Sequence, residues 1–399
     1  MKSVVVQKYG GSSMADAERI ERVASRVAET RSRGCGVVVV VSAMGHTTDE
    51  LLAMARRIAP NPSRRELDML LSAGERISMA LLSLALNARD VPAISFTGSQ
   101  SGIITNDAHT NARIVEVRPF RIQDELDRDR VVIVAGYQGV SYKREITTLG
   151  RGGSDTTAVA LAAALDAEAC EIYSDVDGVY SADPREVPAA RRLDEISYEE
   201  MQELAAAGAR VLNAQAVEFA KAKGIAIYAR ATSDGEGETL VRRFPPEALA
   251  RVAGIASQRG LALVSLPSGD ARELAGMLAA LDAAGLPGRE LTYRDAGEAR
   301  PSVVVSLENV HDLGAVRARL GPDLTWREGI GAVSAVGSGI TADFEVTRRI
   351  IETLGAAGIE PIGLATSSFR VSVLMADAQV EAAARRLHAA LVERSPSSR

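Results

Sequence analysis

The chain contains few of the residues that mark a disulfide, metal or redox protein. Its 399 residues include two cysteines and four histidines. Cys35 and Cys170 each lie beside an apolar run, so we expect buried, reduced thiols rather than a disulfide. The histidines are scattered without the spacing of metal ligands. The composition therefore favours a protein whose chemistry depends on neither a metal centre nor a thiol.

Excess basic charge and long apolar runs are also lacking. A net charge of −6 at pH 7 argues against a general nucleic-acid-binding protein, which needs a basic face. No apolar run reaches the roughly 18 residues that span a bilayer, and the N-terminus lacks the apolar core of a signal peptide. We therefore expect a cytoplasmic protein without nucleic-acid or membrane partners, long enough for more than one domain.

No Walker A loop occurs, but two other glycine-rich loops lie where an anion could bind. Residues 8–13, KYGGSS, follow an apolar strand and precede an amphipathic helix. Residues 147–157 carry Arg151 into an Ala- and Leu-rich helix, for which Ser154 and Asp155 are suitable N-cap residues. Glycines allow a backbone to approach a ligand closely, and a helix N-terminus attracts anions. Two such loops, each with a cation, predict a site for two anionic ligands.

Four segments together resemble the motifs of aspartate kinases, a family of the amino-acid kinase superfamily. They are the two glycine loops, residues 41–51 (VSAMGHTTDEL) and residues 171–185 (EIYSDVDGVYSADPR). The resemblance covers roughly residues 2–240. It implies ATP-dependent phosphorylation of the L-aspartate side chain to 4-phospho-L-aspartate, the first step toward lysine, threonine, methionine and diaminopimelate. Because a carboxylate is already ionised at neutral pH, this reaction needs cations, glycine loops and Mg²⁺ rather than a Ser-His pair.

The resemblance assigns one group of residues to ATP and its Mg²⁺. Lys8 and Arg210 would be catalytic cations that face the transferring phosphoryl group, although the family usually has lysine at the second position. The alternative for Arg210 is a surface ion pair on a helix. No sequence feature identifies Mg²⁺ ligands, so we expect phosphate oxygens to supply most of them. The residues matched to ATP are Lys8, Tyr9, Gly10, Gly11, Ser12, Ser174, Asp175, Tyr180, Asp183, Pro184, Arg185 and Arg210.

A second group would bind aspartate. Arg151 would clamp a carboxylate with its planar guanidinium. Glu75 suits the α-ammonium group, although a glutamate on a helix is ordinarily solvated. Asp155 would be catalytic, or else only a helix cap. The matched residues are Ser42, Thr48, Glu75, Arg151, Gly152, Gly153, Ser154 and Asp155.

Alternating strands and helices predict an α/β domain over residues 1–232, with a parallel-rich central sheet and helices on both faces. The resemblance implies that this domain has the amino-acid kinase fold. The unbroken apolar run 37–41 is typical of a strand covered on both faces. Residues 63–66 and 197–200 have the capping-box pattern of a helix start. The last strand is predicted at 225–228. A polar, Gly- and Pro-rich stretch then predicts a linker over 233–250.

The remainder repeats weakly, with an offset of about 70 residues and a strand-strand-helix order in each unit. The two units resemble tandem ACT domains, the α+β, ferredoxin-like effector modules of aspartate kinases, over 251–328 and 329–399. Both are degenerate, and strands of one unit can be supplied by the other's sequence. The resemblance implies a homodimer or higher homo-oligomer formed through these domains.

The effector half departs from the family pattern. Residues 267–271 (PSGDA), 285–291 (GLPGREL) and 358–362 (GIEPI) replace the motifs that bind lysine or threonine, and the arginine expected near Asn213 is missing. These changes predict weak or altered feedback by lysine and threonine. Pro287 and Pro361 favour edge or bulged strands over central ones.

Two other functions are alternatives to that of an aspartate kinase. The first is an amino-acid kinase that acts on a related acidic amino acid in a specialised pathway. The second is a non-catalytic, amino-acid-sensing protein. Retention of Thr48, Glu75 and Arg151 favours aspartate, and retention of Lys8 and the loop glycines favours catalysis over sensing.

Overall fold

A computed structural model describes most of the chain. The predictions for Arg151, Arg210 and parts of 267–271 and 285–291 fall outside the described residues. The chain divides into two compact units, of which the first comprises residues 1–179, 192–205 and 210–245 and the second 180–191, 206–209 and 246–399. The described residues are 3–150, 152–209, 211–233, 237–243, 251–267, 271–284, 286, 288–292, 301–308, 310, 313–321 and 323–393.

The first unit has alternating strands and helices, as predicted. Its strands are β1 Val4–Tyr9, β2 Gly36–Val41, β3 Ala93–Phe96, β4 Ile103–Thr105, β5 Ile114–Val117, β6 Val131–Ala135, β7 Gln138–Ser141, β8 Ile146–Thr148, β9 Ala169–Ser174, β10 Glu195–Ser197, β11 Ile227–Ala231 and β12 Glu238–Arg242. The helices up to residue 223 are α1 Ala17–Ser32, α2 Thr47–Ile58, α3 Arg64–Leu71, α4 Ala73–Asn87, α5 Phe120–Asp127, α6 Gly153–Ala164, α7 Tyr198–Ala206 and α8 Ala214–Lys223.

An eight-stranded sheet forms the centre of this unit, in the order β10-β12-β11-β9-β1-β2-β6-β3. Its neighbouring strands are parallel except for β11 and β12, which confirms the parallel-rich sheet. A smaller sheet, β5-β4-β7-β8, lies in the same unit. Because the carboxyl ends of parallel strands meet at one edge, the loops after β1, β2, β6 and β9 are brought together there.

Helices cover both faces of the large sheet. Val37, Val39 and Val41 pack with α1 and α4 on one face. Val38 and Val40, which alternate with them along β2, are equally buried, and α6 contacts β1, β2 and β9. This confirms the prediction that residues 37–41 form a strand covered on both sides. Cys170 in β9 is buried as predicted, whereas Cys35 before β2 is partly exposed.

The two predicted capping boxes have different outcomes. At α7 the Glu200 N–H donates to Ser197 Oγ at 3.1 Å, and the Ser197 N–H donates to Glu200 Oε2 at 3.2 Å, so this box is confirmed. At α3 the predicted helix start is confirmed, because the helix begins at Arg64 with Ser63 as the N-cap residue, but Ser63 makes no side-chain capping hydrogen bond. The Glu66 carboxylate instead forms an ion pair with Arg65 at 2.7 Å.

The end of the kinase domain also differs from the prediction. The last predicted strand, 225–228, lies at 227–231 as β11, and residues 238–242 of the predicted linker 233–250 form β12. β12 is antiparallel to β11 and parallel to β10. Its buried residues, Thr239 and Val241, alternate with more exposed ones, but the glycines before it led to the prediction of a linker. The bounds 1–232, 251–328 and 329–399 otherwise stay predictions.

The second unit contains an antiparallel sheet in the order β14-β15-β13-β16-β18-β17, which gives it an α+β architecture. Its strands are β13 Gly254–Ser265, β14 Gly288–Thr292, β15 Ser302–Ser306, β16 Thr325–Val336, β17 Gly363–Thr366 and β18 Arg370–Ala376. Its helices are α9 Ala271–Ala284, α10 Leu313–Leu320, α11 Glu345–Ala356 and α12 Val380–Leu391.

Strand β13 serves both halves of this unit. Its Ile255 packs in one cluster with α11 and α12, whereas Ala262 and Val264 pack in another with α9. This is the strand exchange expected of the tandem repeat. β14 and β17, which follow Pro287 and Pro361, lie at the two edges of the sheet, as the prolines predicted.

Among the residues that the structure describes, one helical stretch, Arg64–Asn87, could cross a membrane by length and composition alone. It comprises α3 and α4. Leu82 and Leu86 of α4 are fully buried and pack against residues of β2 and β6. One face of α4 is therefore packed in the core, whereas Ile77, Leu81 and Leu84 are exposed.

Candidate active site

The first glycine loop lies at the end of β1, in the centre of the large sheet. The Gly10 N–H donates to the Tyr173 carbonyl of β9 at 3.3 Å, and residues 11–14 form a short 3₁₀ turn. A Cβ on Gly11 would lie 2.9 Å from the Ala43 carbonyl oxygen and 3.0 Å from that of Gly45. Only glycine therefore allows the loop after β1 to pack this closely against the loop after β2.

The second glycine loop positions the start of α6. Gly152 is the N-cap residue, with φ of 71°, so the prediction of Ser154 or Asp155 at the cap is wrong. Glycine adopts this left-handed conformation without the strain of a side chain. Ser154 and Asp155 instead lie in the first helical turn, where both are buried.

Lys8 and Asp155 connect the two glycine loops. Lys8 Nζ lies 2.7 Å from Asp155 Oδ1, and the side chains are only 12% and 11% exposed. Asp155 thus pairs with Lys8, and it is not the N-cap residue of α6, which is Gly152. The pairing places a cation and a carboxylate together at the carboxyl edge of the sheet.

Tyr9 faces the opposite side of the sheet from Lys8, because successive residues of a strand point to opposite faces. Its ring is fully buried and stacks on Tyr173 with the centroids 4.7 Å apart. Its Oη donates to Gln7 Oε1 at 3.3 Å. The resemblance assigns Tyr9 to ATP. Because its side chain is buried, only its backbone remains available to a ligand.

Glu75 is a buried carboxylate in the first turn of α4. Its Oε1 accepts a hydrogen bond from the Ala43 N–H at 3.1 Å, while Oε2 is buried and has no hydrogen-bond partner among the described residues. Burial raises the pKa of Glu75 to about 7, against the opposing effect of backbone hydrogen bonds. An unpaired buried acceptor is costly, so this geometry favours a ligand with a positively charged donor.

Ser42 and Thr48 lie on the same side of the unit. Ser42 follows β2, and its N–H donates to the Tyr9 carbonyl at 3.1 Å, which ties the second loop to the first. Thr48 is half-buried in the first turn of α2. The first unit thus brings Lys8, Asp155 and the glycine loops to one edge, with Glu75 joined to them through Ala43.

The residues matched to the base and ribose of ATP are divided between the two units. Ser174 ends β9, and its carbonyl accepts from the Thr232 N–H at 2.8 Å. Asp175 follows it in the first unit. Tyr180, Asp183, Pro184 and Arg185 belong to the second unit. There the Asp183 carboxylate accepts from the Arg185 guanidinium at 2.7 and 3.0 Å.

Sequence reasoning missed several residues that shape these loops. Gly136 follows β6, and a Cβ there would lie 2.7 Å from Ser154 Oγ. Asn213, noted only for a missing charge, caps α8 by accepting from the Gln215 N–H at 2.9 Å. A Cβ on Gly152 would lie 2.2 Å from Asn213 Nδ2. The preference of asparagine for N-caps was the signal that could have identified Asn213.

The comparisons with known proteins agree with this geometry. The amino acid kinase family model matches residues 3–229, more than half of the chain, and an ACT domain model matches residues 333–391. Over 403 residues the chain is 45% identical to the aspartokinase of Mycolicibacterium smegmatis, covering 97% of this chain and 96% of that protein. The chain belongs to the aspartokinase family. Its function is accordingly that of an aspartate kinase.

Other aspartokinases match over a similar extent. The Thermus thermophilus protein is 42% identical over 399 residues, covering 97% of this chain and 98% of its own. The structure of E. coli aspartokinase III in complex with aspartate and ADP matches with a TM-score of 0.83 and 26% identity, covering 97% of this chain and 99% of that one. The aspartokinase fold, with its kinase and ACT parts, therefore extends through almost the whole chain.

Proposed function

We propose that the chain transfers the γ-phosphoryl group of MgATP to the side-chain carboxylate of L-aspartate, giving 4-phospho-L-aspartate and ADP. A carboxylate oxygen forms the new bond to the γ-phosphorus, and the bond from that phosphorus to the oxygen shared with the β-phosphate breaks. No proton moves, because the nucleophile is already ionised. The observation that carries this proposal is the Lys8–Asp155 pair, 2.7 Å apart between two glycine loops.

The residues around this pair have complementary charges for the two substrates. Lys8, with Arg210, would offset the negative charge on the transferring phosphoryl group. Gly10, where a Cβ would lie 3.5 Å from Lys8 Nζ, would allow the phosphates to approach the backbone, and Gly11 holds the loop in place. Glu75 offers its unpaired oxygen to the substrate ammonium. Arg151 would bind a carboxylate of aspartate. E. coli aspartokinase III, which has the same fold, binds aspartate and ADP.

Magnesium would enter as part of the MgATP substrate. Among the described residues there is no group of three or more His, Cys, Asp or Glu side chains that could hold a metal ion. Mg²⁺ in phosphoryl-transfer sites is commonly held by substrate phosphates, waters and one or two carboxylates. The first unit fits such a substrate-borne ion better than a resident metal centre.

We further propose a cytoplasmic homo-oligomer with weak or altered control by lysine and threonine. E. coli aspartokinase III also binds lysine together with aspartate, which supports an effector role for the ACT part. In this chain the ligand-binding motifs of that part are replaced, whereas Lys8 and the loop glycines are retained. We therefore propose a catalytically active kinase that responds weakly to effectors.

The decisive test is a coupled ADP-release assay with MgATP and L-aspartate, run beside L-glutamate and a blank without amino acid. Hydroxylamine in a parallel reaction traps an acyl phosphate as a hydroxamate and so identifies the phosphorylated group. We expect ADP release and hydroxamate only with aspartate. Turnover with glutamate or another acidic amino acid, but not with aspartate, would replace the proposed substrate with the specialised-pathway alternative.

A further inference from the structure

Asp68 of α3 is a fully buried carboxylate that the proposed chemistry does not use. It accepts hydrogen bonds from His109 Nδ1 at 2.6 Å and from Thr148 Oγ1 at 2.6 Å. It also accepts from the Thr110 N–H, at 3.1 Å to Oδ1 and 3.2 Å to Oδ2. A buried carboxylate is costly unless its oxygens accept hydrogen bonds. Through its hydrogen bonds Asp68 joins α3, β8 and the turn at 107–112.

This junction stabilises an unfavourable backbone conformation. Thr110 has φ of 67°, a left-handed value that is unfavourable for a β-branched residue. The hydrogen bond from its N–H to a charged carboxylate offsets that cost. The Ala112 N–H then donates to the Thr148 carbonyl at 2.9 Å, which fastens the turn to the end of β8.

The same turn lies against the second glycine loop. Thr148 ends β8, and Gly150 follows two residues later with φ of 78°. A Cβ on Gly150 would lie 3.1 Å from Asn111 Oδ1 and 3.5 Å from the Thr110 carbonyl oxygen. The Gly150 carbonyl in turn accepts from the Gly153 N–H at 3.0 Å, at the start of the helix that carries Asp155.

We propose that Asp68 is a positioning residue for the amino-acid subsite: through Thr148 and the His109–Thr110 turn, it fixes the backbone of the glycine loop that precedes α6. This inference rests on the proposed function, in which that loop and Arg151 bind aspartate. The loop after β1 shares no hydrogen bond with Asp68 among the described residues. Asp68 therefore determines the KM for aspartate and leaves the KM for MgATP largely unchanged.

The sharpest variant is Thr148→Val, because valine keeps the shape of threonine and removes only the donor to Asp68. Small displacements of a binding group are costly, so we expect about a tenfold rise in the KM for aspartate. The KM for MgATP should change less than about twofold. Asp68→Asn and His109→Leu should shift the same constant in the same direction, and His109→Asn, which keeps a donor, should recover part of the loss.

Asp107→Asn is the matched control. Asp107 lies in the same turn, but it is exposed and pairs with the exposed Lys143, so its substitution should leave both KM values unchanged. A parallel rise of both KM values in Thr148→Val and Asp68→Asn would overturn the proposal. So would a lower melting temperature with both KM values unchanged, which is the result for a merely structural residue.

Hydrogen exchange followed by mass spectrometry tests whether Asp68 fixes the glycine loop, and it needs no enzyme assay. In the ligand-free protein, the peptide over residues 146–156 should exchange faster in Thr148→Val than in the wild type, while the peptide over residues 4–14 should not change. Unaltered exchange over 146–156 in both Thr148→Val and Asp68→Asn would overturn the inference. If wild-type protein shows no turnover with aspartate, the proposed substrate fails, and the exchange measurement still decides whether Asp68 fixes the loop.

Discussion

Lys8 Nζ of β1 and Asp155 Oδ1 of α6 lie 2.7 Å apart, and each side chain is nearly buried. The pair joins the strand that ends in the first glycine loop to the helix that begins after the second. In the absence of substrates each charge compensates the other. A bound phosphoryl group would compete with Asp155 for Lys8. The pair would therefore take part both in substrate binding and in phosphoryl transfer.

Replacement of Lys8 tests this arrangement directly. Lys8→Gln keeps the length of the side chain approximately but removes the charge that offsets the transferring phosphoryl group. We expect kcat in the ADP-release assay to fall by about 10²–10³-fold, as when one transition-state donor is removed. Lys143→Gln, which removes an exposed ammonium group paired with Asp107, should leave kcat unchanged. A Lys8→Gln enzyme that keeps most of the wild-type kcat would contradict the role of Lys8.

The pKa of Glu75 predicts how the KM for aspartate depends on pH. Burial raises this pKa to about 7, so Glu75 is mostly protonated at pH 6 and mostly ionised at pH 8. Only the ionised carboxylate attracts the substrate ammonium, and the charges of free aspartate do not change in this range. The KM for aspartate should therefore rise as the pH falls from 8 to 6, by up to about tenfold. In Glu75→Gln the KM should be high and independent of pH; a pH-dependent KM in that variant would assign the effect to another group.

Glu75 should also lower the stability of the ligand-free protein at high pH. Its folded pKa lies above the unfolded value, so its favourable contribution is complete below about pH 4.5 and is lost as the pH rises through about 7. Glu75→Gln does not ionise and should be more stable than the wild type above pH 7, by up to about 3 kcal/mol. The difference should shrink toward pH 4.5. Thermal unfolding at several pH values measures it, and a constant difference would contradict the assigned pKa.

A comparison of Gly152 and Gly224 distinguishes the cost of backbone strain from the cost of a steric clash. Gly152 and Gly224 both have φ of 71°, but a Cβ on Gly152 would lie 2.2 Å from Asn213 Nδ2, whereas nothing lies within 4 Å at Gly224. Gly224→Ala should cost about 1 kcal/mol from the left-handed conformation alone. Gly152→Ala should cost that amount and about 1–3 kcal/mol more, and it should raise the KM for aspartate. Equal melting temperatures for the two variants would show that Asn213 yields without cost.

Ser181 is a buried link within the second unit. Its Oγ lies 2.9 Å from His388 Nε2, and it accepts from the Arg191 N–H at 3.0 Å, while His388 Nδ1 lies 3.1 Å from Glu393 Oε1. Ser181→Ala leaves a buried imidazole nitrogen unpaired and should destabilise the second unit by about 1–3 kcal/mol. Ser99→Ala, at an exposed position, is the control. Unchanged thermal unfolding of Ser181→Ala would show that the contact adds nothing to stability.

The sequence predicted elements whose signals are local. The apolar run 37–41 was sufficient to predict β2. Gly224 is a local signal of the same kind, because it ends α8 in the left-handed conformation that glycine readily adopts. The predicted N-cap of α6 was wrong because Gly152, and not Ser154 or Asp155, occupies that position with φ of 71°. Asn213 leaves no room there for a Cβ. Local propensity does not contain that tertiary contact.

For the candidate site, too, the sequence predicted individual residues but not the contacts between them. Lys8 and Asp155 were both identified by resemblance, but their ion pair depends on the order of strands in the sheet. Asp68 was missed because an aspartate in a short amphipathic helix has the pattern of a solvated residue. Its burial and its contacts with His109 and Thr148 become visible only when α3, the 107–112 turn and β8 are packed together.

The last prediction concerns feedback. The effector motifs are altered at residues 285–291, which run into β14, and at residues 358–362, just before β17. β14 and β17 are the two edge strands of the second unit's sheet. An effector inhibits only as far as it binds two states of the enzyme with different affinity. We therefore expect little inhibition by lysine plus threonine at millimolar concentrations, in an assay with aspartate held near its KM. E. coli aspartokinase III, which binds lysine, serves as the comparison enzyme in the same assay. Strong loss of activity in this chain would show that the altered segments still form an effector site.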